Sequence, residues 1–149
     1  MSTFTERTTI NASRQDVWAA LADIGTIATW NPGLIKSHRT NDIDGVGGGR
    51  HCDISTKHSL TEHVVEFEPG TAITFRITDT TLPFKTADIA FTLTDNAQQA
   101  RTEVTVSPTY TLKYGPIGRI LNTVAVRRNY RAGMCGLLEG LKTHLEQRC

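Results

Sequence analysis

The sequence predicts an α+β protein: a strongly curved antiparallel sheet of about seven strands wrapped around one long C-terminal helix, with two short helices after the first strand. Three observations predict it. Alternating segments rich in Thr and Val fill the chain from Leu34 to about Leu112 and are joined by short links, which favours antiparallel over parallel pairing. The segment after the first strand changes from a period of two to a helical period. From Met134 onward, Met134, Leu138, Leu141 and Leu145 recur at steps of four, three and four, an amphipathic stripe able to cover one face of a sheet. A lone helix does not fill a wide curved sheet, so a cavity between the two is expected.

In order along the chain, "TFTERTTI" alternates and reads as the first strand. "NASRQDVWAALADI" follows as a helix capped by Asn11 or Ser13, with Val17, Trp18, Leu21 and Ile24 at helical spacing. "GTIATWNPG" reads as a second short helix stopped by the Asn31-Pro32-Gly33 turn. Six strands come next: "LIKSHRT", "RHCDIST", "SLTEHVVEFE", "TAITFRIT", "FKTADIAFTLT" and "ARTEVTVSPTYTL". After "KYGPIGR" one helix is expected to run to the C-terminus, with Ile117, Ile120, Leu121 and Val124 extending its apolar face. Gly133, Gly136 and Gly140 weaken that helix and predict a bend or a close approach to the sheet.

The 149 residues suit one domain spanning 1–149 with a substantial core. Sixteen basic and fifteen acidic side chains leave almost no net charge, which argues against a general nucleic-acid binder. No apolar run approaches the ~20 residues of a membrane-crossing helix, and the N-terminus has no apolar signal core. Cys52, Cys135 and Cys149 are odd in number and widely spaced, so neither a disulfide framework nor a structural zinc site is expected and the cytoplasm is the default location.

The stretch "GVGGGRHCD" at 45–53 looks at first like a phosphate-binding loop. A dinucleotide fingerprint needs a third glycine and a following helix, and a P-loop needs Gly-Lys; here Arg50 and a strand follow. The plainer reading is a strand connection in which glycine supplies positive φ.

The succession "VWAALADIGTIATWNPGLIKSH", "GVGGGR", "LTEHVVEFEPG" and a Gly-Pro-x-Gly-led terminal helix ending "LEGLKTHLE" resembles the polyketide cyclase/dehydrase-like branch of the SRPBCC (START-related, helix-grip) superfamily. The resemblance spans essentially the whole chain. It implies a β-α-α-β6-α chain gripping the long helix around an apolar cavity. Members include lipid and hormone carriers, aromatase/cyclases and ubiquinone-pathway proteins, so fold alone does not fix function.

Strand phase nominates the residues that face the cavity. If Lys57-His58 forms a two-residue turn, Cys52 lies opposite His63, and Arg50, Cys52, Ile54, His63, Val65 and Phe67 face inward while His51, Asp53 and Glu62 face out. Later strands turn Ile73, Phe75 and Ile77, then Ala87, Ile89, Phe91 and Leu93, then Val104, Val106, Pro108, Tyr110 and Leu112 inward. Carrying the helix stripe back from Met134 reaches Arg131 and Arg127, which would either grip an acidic ligand or snorkel to the rim and pair with an acid such as Glu6. Trp30 and Tyr110 offer apolar bodies with one polar tip, and Tyr114 sits near the helix entrance.

The ligand-contact candidates are therefore Trp30, Arg50, His63, Phe75, Phe91, Tyr110, Arg127 and Arg131. His63, Tyr110 and Arg131 are the weak catalytic candidates, as base, hydroxyl and oxyanion-stabilising cation. His51, Asp53 and Glu62 are residue types that ligate metals, but no adequate set is visible, and no metal site and no cofactor are expected. The leading reading is a binder of a small hydrophobic or amphipathic molecule such as a lipid, quinone or polyketide-like compound. The alternatives are a cyclase or dehydratase acting in the same cavity, and a groove for a protein or membrane partner.

Overall fold

The computed structural model describes residues 1–96, 100–113 and 125–147. Within them the chain runs β1 (Ser2–Thr3), β2 (Glu6–Ile10), α1 (Arg14–Ala22), a 3-10 helix (Ile24–Thr29), β3 (Lys36–Arg39), β4 (Gly49–Asp53), β5 (Ser59–Glu68), β6 (Ala72–Thr80), β7 (Phe84–Asn96), β8 (Arg101–Leu112) and α2 (Arg127–Glu146). Ile117, Ile120, Leu121, Val124, Tyr114 and Cys149 lie outside the described residues.

The described strands form one antiparallel sheet in the order β1-β8-β7-β6-β5-β4-β3, with β2 also on β8. The helix-grip arrangement is therefore present, and the expected six-strand meander corresponds to β3–β8. The first strand is divided where one was expected. Ser2 pairs with Tyr110 and Glu6 with Val106 in a single register, so the interruption falls opposite Pro108. Proline has no N–H to give the ladder.

Ser13 caps α1, its hydroxyl accepting from the Asp16 amide at 3.1 Å. Asn31 ends the 3-10 segment by accepting the Gly33 amide on its side-chain oxygen at 2.9 Å. The glycine run is a connection, as its sequence suggested. Gly45 and Gly47 take φ of +80° and +96°, and Gly47 donates to the Val64 carbonyl at 2.9 Å.

The inward residues of β6, β7 and β8 follow the expected phase: Ile73, Phe75, Ala87, Ile89, Phe91, Leu93, Val104 and Val106 are all buried. On α2 the buried set is Met134, Leu137, Leu138, Leu141 and Leu145. Among the three helix glycines, Gly133 and Gly136 have open space where a Cβ would stand. At Gly140 a Cβ would collide with the Trp30 carbonyl oxygen and stand 2.7 Å from Pro32 Cδ. The expected close approach is thus made at one glycine, to the Asn31-Pro32 turn rather than to the sheet. It seats α2 against the segment that forms one wall of the cavity.

Candidate functional site

A cavity of about 400 Å³ lies between the sheet and α2. Ile77, Ile89 and Phe91 line it from the central strands. Leu82 and Pro83 line it from the β6–β7 connection, Phe84 from the start of β7, and Ile27, Asn31 and Leu34 from the 3-10 helix and its turn. Val126, Tyr130, Gly133, Met134 and Leu137 complete it from the helix side. These walls are largely apolar. Among the described residues the charged ones on them are Arg50 and Glu62.

Register explains why an acid points inward. Arg50 on β4 is the direct partner of Glu62 on β5, so both side chains leave the sheet on one face. Arg50 faces in with Cys52, and Glu62 must follow it. Their side chains are only 4% and 6% exposed, and Arg50 Nη2 donates to Glu62 Oε2 at 3.3 Å. Arg50 Nη1 donates to the Ile24 carbonyl at 3.3 Å, and the guanidinium lies 3.9 Å above the Phe75 ring. Arg50 Nε is buried and has no hydrogen-bond partner among the described residues. Removing either member of such a pair leaves an uncompensated buried charge, at a typical cost of about 3–5 kcal/mol.

Tyr130 supplies the second polar group. Its ring stacks edge-on with Phe4 and Tyr110 and tilts against Phe84, with centroids 5.0–5.4 Å apart. Its hydroxyl is buried without a partner among the described residues. Burial, with Glu62 and Tyr110 adding to it, pushes the phenol pKa far above its ordinary value, so the group is a neutral O–H donor at any physiological pH. Burial likewise raises the Cys52 thiol to about 12, against an opposing pull from Arg50. Cys52 is an inert core residue in this state.

The expected phase of β5 is reversed over its first half. The 54–58 connection is longer than the supposed two-residue turn, with the Ile54 and Ser55 amides both donating to the His58 carbonyl. Cys52 therefore pairs with Leu60 instead of His63, an odd displacement that exchanges the two faces. His63 lies opposite Gly49 on the outer face, its Nδ1 3.0 Å from the Thr78 hydroxyl. Glu62 and Val64 take the inward positions. A bulge between Val64 and Glu66 then returns Phe67 to the inner face, where it packs on Trp18.

The two arginines of the helix stripe lie off the cavity lining. Arg131 is 49% exposed on its side chain and paired with Glu6. Arg127 and Arg131 approach the Phe4 ring to 6.0 and 5.6 Å, and neither lines the cavity. A 3.6-residue helix allows steps of either three or four. From Met134 the cavity face continues through Tyr130 and Val126, not through Arg131 and Arg127. Of the remaining candidates, Arg50 and Phe91 line the cavity. Phe75 lies beneath Arg50, Tyr110 is packed among Phe4, Phe84 and Tyr130, and Trp30 is buried with its indole N–H unpartnered. Sequence reasoning missed Glu62 and Tyr130 as cavity groups. The metal constellation it weighed is divided between the two faces: His51 contacts Asp53 at 3.1 Å outside, while Glu62 is inside.

The family model described as "Polyketide cyclase / dehydrase and lipid transport" matches residues 1–146. The chain belongs to this family. A comparison with curated proteins finds none that matches. Among solved structures, the polyketide cyclase/dehydrase fold of this chain is similar to the Zhui aromatase/cyclase from Streptomyces sp. R1128, with a TM-score of 0.80 at 15% identity over 99% of this chain and 94% of that one. It is also similar to a START superfamily protein from Mycobacterium smegmatis (TM-score 0.75, 15% identity, 99% of each chain). A third similar structure is the XoxI protein from Bacillus cereus (TM-score 0.78, 18% identity, 97% of this chain and 96% of that one). At these identities the likeness establishes a shared START-like, helix-grip architecture. Among the described residues no helix is long and apolar enough to cross a membrane.

Proposed function

We propose that this single-domain protein binds a small hydrophobic or amphipathic molecule, of lipid, quinone or polyketide-like character, in the cavity between sheet and α2. The observation that carries this reading is the cavity itself: about 400 Å³ of space with apolar walls and a few polar groups at fixed positions. That combination of size and lining is typical of small-molecule sites. The ligand's body would lie against Ile77, Ile89, Phe91, Met134 and Leu137, and its polar end near Arg50 and Tyr130. The unpaired cysteines Cys52 and Cys135 suit a cytosolic setting for this binding.

Native mass spectrometry of the freshly purified protein, followed by denaturing extraction, tests the reading. An adduct that leaves as an intact apolar molecule supports it and gives the ligand class. A clean apo mass, together with no uptake of the neutral dye Nile red, contradicts it. The second reading, a cyclase or dehydratase acting on a substrate held in the cavity, is favoured by the inward Glu62 and the Tyr130 hydroxyl, groups of the kind that move protons. Turnover of a polyketide-like substrate that is lost in Tyr130→Phe would favour catalysis. Unaltered substrate recovered after incubation would favour carriage.

A further inference from the structure

The polar end of the cavity carries a charge arrangement that narrows the ligand class. Arg50 and Glu62 neutralise one another inside the protein, with almost no solvent access to either side chain. Among the described residues, the groups of Arg50 and Tyr130 left without partners are hydrogen-bond donors: the Arg50 Nε–H and the Tyr130 O–H. Tyr130 keeps its proton because its pKa is pushed strongly upward by burial. A ligand carboxylate would share a cation already committed to Glu62, leaving a net negative charge buried among apolar walls. A ligand cation would leave the opposite excess. A neutral oxygen acceptor can take up such a donor without adding charge.

We propose that the cavity selects uncharged ligands bearing a carbonyl or similar neutral oxygen acceptor and discriminates against carboxylates, with the Arg50–Glu62 pair as the charge filter and Tyr130 as a donor to the bound oxygen. This rests on the binding reading above and specifies its ligand.

The test uses the full chain and three probes of one shape: acetylnaphthalene, naphthoic acid and ethylnaphthalene. They carry a neutral carbonyl, a carboxylate and no acceptor. Affinities are read at neutral pH by displacement of Nile red. The expected order places acetylnaphthalene about tenfold or more tighter than either of the others, a fold-change typical of one satisfied buried donor. Glu62→Gln removes the acid and frees the guanidinium, so naphthoate becomes the tightest probe. Tyr130→Phe lowers acetylnaphthalene toward the affinity of ethylnaphthalene, and it keeps the question open to measurement if Glu62→Gln does not fold.

In the unmodified protein, naphthoate binding tightest overturns the charge filter, and ethylnaphthalene equalling acetylnaphthalene overturns the donor assignment. In both cases the cavity still binds, so the binding reading survives. Failure of all three probes and of Nile red overturns that reading and, with it, this one.

Discussion

One methyl group, placed at two positions on α2, separates the close approach of this helix from its free surface. In Gly136→Ala the new Cβ meets nothing within 4 Å, so only the helical preference of alanine acts, and the variant gains about 1 kcal/mol. In Gly140→Ala the same gain is opposed by a collision with the Trp30 carbonyl oxygen and by a contact of 2.7 Å with Pro32 Cδ. That is about 1 Å inside the ordinary separation of two carbons. The obstacle is a backbone turn, held by the Asn31 amide on the Ile27 carbonyl at 2.8 Å, so it does not swing away as a side chain would. Overpacking of this kind costs about 2–3 kcal/mol, which leaves Gly140→Ala about 1–2 kcal/mol less stable than the parent. The two variants therefore move in opposite directions and differ by about 2–3 kcal/mol. Urea unfolding followed by the fluorescence of Trp18 and Trp30 reads this as midpoints displaced either side of the parent at a common slope. Equal stabilisation of both variants would refute the seating of α2 on the turn, and with it the position of the cavity wall.

Three further outcomes follow from the same geometry. Arg131→Leu should leave Nile red binding unchanged, because the guanidinium pairs with Glu6 away from the cavity lining; a clear loss of binding would return it to the cavity. Gly133→Phe should abolish dye uptake with a stability change within about 1 kcal/mol, since the position borders the cavity and a Cβ there has open space; full uptake would place the ring in solvent. Stability should fall as pH rises above 9, because Cys52 titrates near 9.0 when unfolded and near 12 when folded: the native state then holds a proton that the unfolded state has lost. The slope is about 1.4 kcal/mol per pH unit while that difference lasts, and Tyr130 adds to it once the pH passes the ordinary tyrosine value of about 10. Cys52→Ala, unfolded in urea across this range, should lose the earlier part of the decline; an unaltered profile would show that Cys52 is not its source.

The sheet was legible because period-two alternation survives wherever one face is buried, as it is along β6, β7 and β8. The inner face of β5 was not, because it depends on how many residues the 54–58 connection consumes, and Lys57-His58 carries no turn signature that fixes the number. One odd displacement exchanged His63 for Glu62, and the bulge after Val64 hid the error by restoring Phe67. On α2 the buried leucines were readable, but the stripe divides ahead of Met134 and both branches obey helical spacing. Desolvation distinguishes them: the branch through Tyr130 and Val126 buries no charge, whereas the branch through Arg131 and Arg127 buries two. Glu62 was hidden for a different reason. Its burial depends on Arg50 across the ladder, a pairing visible only once the register is known.

The order of strands has a consequence for how the molecule closes. β2 is made early, yet its partner in the sheet is β8, with Glu6 facing Val106. Contacts so distant in sequence carry a large loop-closure entropy and slow the folding of a sheet. The C-terminal helix then bridges the same early strand: Lys142 reaches the Thr9 carbonyl at 2.7 Å across 133 residues, Glu146 accepts the Asn11 amide, and Arg131 meets Glu6. The cover of the concave sheet is thus tied by three polar contacts to the β2 region, and through β2 to β8, so loosening β2 would loosen the cavity's lid-side wall as well.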